Sequence, residues 1–121
     1  MNIAIVGLGR VGTQFTKKLM NFKAKGIHII AVAEEGETEG KEIAMEKGVP
    51  LKSCDEITKM GDHIDIIFDL TGNAEVRKML RNGLQQNKNL HTAIAPETFA
   101  YLLWSVLEDK PLPDVHAHKG Y

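Results

Sequence analysis

The segment Gly7-Leu8-Gly9-Arg10-Val11-Gly12 constrains this chain more than any other. It follows Asn2 to Val6, a short apolar and branched run, and it precedes Val11, Phe15, Leu19 and Phe22, apolar residues spaced by three or four. The first pattern predicts a buried strand and the second one face of a helix, so the glycines must make the turn between them. Gly7 permits a sharp reversal, Gly9 leaves no side chain over the start of the helix, and Gly12 lets helix and strand approach closely. Gly26 ends the helix, and Ile27 to Ala33 is a second branched run with an acidic end, Glu34-Glu35, which completes a strand-helix-strand unit.

The alternation continues. Gly36 and Gly40 loosen a connection before a helix over Lys41 to Lys47, and Gly48-Val49-Pro50-Leu51 predicts a very short third strand. Ser53 is placed to cap a brief helix ending near Gly61, with Glu56 three residues on as its capping-box partner. Ile64 to Leu70 reads as a strand, and Thr71-Gly72-Asn73 ends it. Asn73 caps a helix to about Asn87, Leu90 to Ala95 is a further strand, and Pro96 opens a last helix reaching about Asp109. The expected fold is α/β, a Rossmann-type doubly wound parallel sheet in a single domain. Residues 1–110 form the domain and 111–121 a tail or a sixth, edge strand.

A chain of 121 residues fits one core. Its formal net charge of -1 supplies no long-range attraction for nucleic acid or an anionic membrane surface, so neither is expected as a partner. The lone Cys54 has no internal disulfide partner, as expected in a reducing compartment, with the cytoplasm as the default. The longest apolar runs fall well short of the ~20 residues that a membrane helix needs, and Met1 leads directly into a strand, so no export signal or anchor is expected.

A glycine turn between a strand and a helix has a chemical use. With no side chain at Gly9, the backbone amides of Arg10 and Val11 and the positive end of the helix dipole face a diphosphate. The competing reading is a turn with no ligand. Glu34 lies 22 positions beyond Gly12 at the end of the second strand, where a carboxylate accepts hydrogen bonds from adenosine ribose hydroxyls. A 2′-phosphate there would meet two adjacent negative charges, Glu34 and Glu35, with Lys41 the nearest cation in the segment, which favours NAD over NADP. Both glutamates also read simply as solvated loop residues.

From Met1 to about Pro96 the chain resembles the nucleotide-binding domains of the homoserine dehydrogenase, aspartate dehydrogenase and glucose-fructose-oxidoreductase-like families. The resemblance rests on Ile5 to Gly12, Ile29 to Glu34, Asp65 to Asn73 and Leu90 to Ala93, four segments in the right order. It implies NAD(H) as cofactor and makes Thr71, Gly72 and Asn73 contacts near the nicotinamide ribose, although helix capping explains Asn73 equally well. By the same resemblance Ala93, Ile94 and Ala95 lie close to the nicotinamide. Such families continue into a second domain that binds substrate and supplies acid-base groups. Thr92-Ala93-Ile94-Ala95-Pro96-Glu97 does not keep the Glu-Lys-Pro signature of the sugar-oxidising branch, so no catalytic lysine carries over and the catalytic residues are unknown.

Other reactive side chains point to less. His116 and His118 share a face of an extended segment, but without a cysteine or carboxylate cluster they make an incomplete ligand set, and no metal is expected. Cys54 reads as a small apolar residue. Asp69 interrupts an apolar strand and must be paired or lie near the solvated crevice. In the last helix Phe99, Leu102, Leu103 and Val106 form one stripe, while Tyr101, Trp104 and Leu107 widen the apolar surface beyond what one sheet face covers. Trp104 and Tyr101 above all are expected at a contact, with a second copy or with a separate partner protein. The resulting expectation is an oxidoreductase-like NAD(H)-binding domain without a complete catalytic site of its own. The alternatives are an NAD/NADH-sensing module acting through assembly, or a crevice for another adenosine nucleotide such as coenzyme A.

Overall fold

A computed structural model describes residues 1–108. The chain runs β1 (Asn2–Val6), α1 (Arg10–Met20), β2 (His28–Ala33), α2 (Glu39–Glu46), α3 (Cys54–Thr58), β3 (Ile66–Asp69), α4 (Ala74–Gln86), β4 (Ala93–Pro96) and α5 (Glu97–Leu107), with single 3-10 turns at Lys23–Lys25 and Gly61–His63. The four strands form one parallel sheet in the order β2-β1-β3-β4. Successive residues of a strand face opposite sides, and the sequence uses this to build two apolar layers. Ile3, Ile5, Val32 and Phe68 meet Val11, Phe15 and Leu19 of α1, Ala44 of α2 and Ala100 of α5 on one face. On the other, Ala4, Val6, Ala31 and Ile67 meet Ile57 of α3 and Leu80 and Leu84 of α4. The doubly wound, Rossmann-like α/β architecture is therefore the one that the alternating pattern predicts.

Several boundaries differ for local reasons. The expected third strand at Gly48–Leu51 is a single parallel bridge, Val32 to Leu51. Gly48 is in the left-handed region at φ 74°, and Pro50, which lacks an N–H, accepts from Val32 N while Lys52 N donates to Val32 O. The segment thus touches β2 without running along it. The strand expected from Leu90 begins at Ala93, because the Asn89 side chain holds a turn by accepting from the amides of His91 and Thr92. Pro96 ends β4 and precedes the helix: its ψ of 174° is extended, and α5 starts at Glu97.

α5 also turns differently from the sequence expectation. Ala100 is fully buried, and Tyr101, Leu103 and Trp104 pack against the core, while Phe99, Leu102 and Val106 are exposed. A small residue lets a helix approach the sheet closely, so Ala100 sets the inward face and Trp104, four residues on, covers the core beside it. The surplus apolar surface is therefore the Phe99-Leu102-Val106 stripe, and the expectation that Trp104 and Tyr101 stand outward is corrected. The tail or edge strand at 111–121, with His116 and His118, lies outside the described residues.

Candidate functional site: a glycine turn at the carboxyl ends of the strands

The carboxyl ends of β1, β2 and β3 gather the nine residues singled out from the sequence. Gly7 has φ 97°, and a Cβ there would sit 2.9 Å from the Leu70 carbonyl carbon and 2.9 Å from Thr71 Cγ2. A Cβ on Gly12 would fall 1.9 Å from Gly7 O. Both glycines are thus required by the fold itself. Gly9 is different: it is exposed, and nothing lies within 4 Å of where its Cβ would be. The fold makes no demand for glycine there, and that open approach is what a diphosphate needs.

Gly9 is also the N-cap of α1. It offers no capping side chain, no acidic residue stands in the first turn, and the first intrahelical bond runs from Thr13 N to Gly9 O at 2.8 Å. The amides of Arg10, Val11 and Gly12 precede that bond and form the donor end of the helix dipole. An anion completes such a terminus. Thr13 Oγ1 donates to Leu8 O at 3.0 Å and so ties the loop to its helix.

Glu34 is held at the lip of this loop. Its Oε1 accepts from Leu8 N at 2.7 Å and its Oε2 from Gly36 N at 2.8 Å, and each oxygen keeps a lone pair for a further donor. Sequence reasoning placed Glu34 at the end of β2 but missed the Leu8 contact, for which a separation of 26 positions gives no local signal. Lys41, the nearest cation expected from the sequence, is paired with Glu37 at 3.1 Å.

The third arm is the loop after β3. Asp69 is 1% exposed and its charge is answered within the fold. Arg77 Nε donates to Oδ2 at 2.8 Å, while Thr71 N and Thr71 Oγ1 donate to Oδ1 at 3.1 and 2.7 Å. Thr71 Oγ1 accepts from Asn73 N, and Asn73 Oδ1 accepts from Glu75 N at 2.9 Å to cap α4. Gly72 takes φ 64° between them. Asp69 is thus a pillar that shapes the Thr71–Asn73 loop, and the capping role expected of Asn73 is present. Arg77 was missed because a cation one turn into a capped helix ordinarily faces water.

Burial first, then the charges of Asp69 and Glu35, raise the thiol pKa of half-buried Cys54 above the usual value. It stays protonated and is a poor nucleophile. Among the described residues no group of three or more His, Cys, Asp or Glu is placed to hold a metal ion, and no helix is long and apolar enough to cross a membrane.

Strand order, glycine turn and acid after the second strand together define a dinucleotide-binding domain of the Rossmann class. The chain belongs to the Gfo/Idh/MocA oxidoreductase family, whose NAD-binding Rossmann fold matches residues 1–115. Its structure is similar to that of homoserine dehydrogenase from S. aureus, at 24% identity and a TM-score of 0.59 over 90% of this chain and 29% of that one. It is also similar to homoserine dehydrogenase from Thiobacillus denitrificans, at 21% identity and a TM-score of 0.55 over 87% of this chain and 25% of the other. The chain therefore spans less than a third of those enzymes, and the likeness is one of fold. Among curated protein sequences none matches it.

Proposed function

We propose that the protein binds NAD(H) with its diphosphate on the first turn of α1 and its adenosine ribose on Glu34. The observation that carries this reading is Gly9, a residue whose missing side chain serves no packing need. Gly7 and Gly12 shape the turn, Arg10, Val11 and Gly12 offer amides, and the Glu34 carboxylate accepts from ribose hydroxyls. Thr71, Gly72 and Asn73 border the nicotinamide half. Bound NAD(H) supplies hydride transfer at its nicotinamide ring. Acid-base groups for a substrate are expected from a partner or a second copy.

The exposed Phe99-Leu102-Val106 stripe supports a second, regulatory reading, in which NAD or NADH changes assembly through α5. Either role suits a reducing compartment such as the cytoplasm, the setting expected for a chain with a lone cysteine. Calorimetric titration with NAD, NADH, NADP and coenzyme A separates the readings. NAD or NADH is expected to bind, NADP weakly or not at all, and Glu34→Ala to cost about 1–3 kcal/mol of NAD affinity by leaving ribose hydroxyls without their charged acceptor. Equal affinity for NADP, or an unaffected Glu34→Ala protein, contradicts the ribose assignment. Tighter binding of coenzyme A than of either dinucleotide contradicts the cofactor assignment.

A further inference from the structure

On the α4 face the sheet is left partly bare. The chain crosses from β4 to the opposite face when it enters α5, so no described helix covers the outer side of β4 beyond α4. The result is a groove of about 360 Å³ between α4, the turn after it and β4, away from the glycine loop. It is an open groove on the surface, not an enclosed cavity.

Its lining has a definite chemistry. Arg77 and Arg81, one turn apart on α4, are its charged residues, no carboxylate lines it, and Leu84, Leu90 and Ile94 give an apolar wall. Arg77 is only 6% exposed and spends its Nε on Asp69; its two Nη groups have no partner among the described residues. Arg81 likewise has no hydrogen-bond or ion-pair partner among them. Leu90, fully exposed, stands at the rim of the groove. A planar carboxylate fits the guanidinium fork, and an attached aliphatic chain would cover Leu90 and Ile94 where inorganic phosphate would not.

We propose that this groove is a binding site for a small organic carboxylate with a short aliphatic chain, distinct from the dinucleotide site and coupled to it. The coupling follows from contacts already described. Arg77 holds Asp69, Asp69 holds Thr71, and Thr71 fills the space that a side chain on Gly7 would need. A carboxylate that draws on Arg77 loosens its grip on Asp69 and shifts the loop beside the glycine turn. The site stands on the groove alone, whereas the coupling rests on the NAD(H) reading.

The test is an amide NMR titration of the full chain with 3-methylbutanoate, with 3-methylbutan-1-ol and inorganic phosphate run separately. The carboxylate is expected to give saturable shifts at Leu90, Thr92 and Ile94, the alcohol and phosphate none, and Arg81→Gln to weaken the carboxylate about tenfold. No saturable shift, equal shifts with phosphate, or an unchanged affinity in Arg81→Gln overturns the site. NADH affinity, followed by fluorescence, is then expected to change about fivefold when the groove is saturated. An unchanged NADH affinity overturns the coupling and leaves the site; failure of NADH to bind without carboxylate counts against the glycine-loop reading instead.

Discussion

Asp69 interrupts an apolar strand, and the fold supplies the partners that such a position demands. A carboxylate 1% exposed in a sheet covered on both sides must be paired, and Arg77 and Thr71 pair it. Arg77→Leu removes the cation paired with that buried charge and leaves it, among the described residues, the Thr71 donors alone, so it should cost about 3–5 kcal/mol in urea unfolding. A loss below about 1 kcal/mol would show that water or another group replaces the guanidinium. Asp65 makes a different prediction at the opposite end of the sheet. The amide of Asn2 first, and the His91 side chain second, hold its carboxyl below the ordinary 3.8. A carboxyl depressed on folding adds stability above its unfolded pKa, and that contribution is lost as pH falls through the folded value. Unfolding stability should therefore decline below about pH 3.8 more steeply in the native protein than in Asp65→Asn, whose amide does not titrate in that range. Identical acid limbs in the two proteins would contradict the assignment.

Helices and strands were legible where their signals were periodic. The capping box at Ser53 and Glu56 is present in full, with Ser53 Oγ accepting from Glu56 N at 3.1 Å and Glu56 Oε1 from Ser53 N at 2.9 Å. Periodicity failed where one side chain decided the outcome. Nothing in Leu90-His91-Thr92 announces that Asn89 will bend it away from the sheet. In α5 apolar residues encircle the helix, so the inward side is set by which residue tolerates the closest approach, and Ala100 wins over larger neighbours. The outward stripe then predicts association. Leu102→Glu should leave the unfolding free energy within about 0.5 kcal/mol, because the residue is 58% exposed. In sedimentation equilibrium it should abolish the concentration-dependent mass expected of the native protein. A native chain that stays monomeric throughout, or a variant that associates equally well, would remove α5 as the contact.

For the whole molecule, the geometry of the candidate cofactor site was readable in outline because it is built from backbone at strand ends, and strand ends follow from chain order. Gly7, Gly9 and Gly12 announce the turn, and Glu34 announces the end of β2. The contacts that fix the site join segments far apart in sequence, Leu8 to Glu34 and Gly7 to Thr71, and no local pattern encodes them. The groove beside β4 was invisible for the same reason: it exists only because α5 changes face. The three glycines also separate folding from binding. Gly7 and Gly12 are demanded by close contacts, so their substitution would confound the two, whereas Gly9 faces open space. The most direct measurement is therefore NADH titration of Gly9→Val beside the native chain. Adding a side chain at this N-cap should cost stability only about 1 kcal/mol. The account predicts a folded variant with a native far-ultraviolet spectrum and at least about hundredfold weaker NADH binding, since the new side chain occupies the path of the diphosphate. A folded Gly9→Val protein that binds NADH as tightly as the native chain would contradict it.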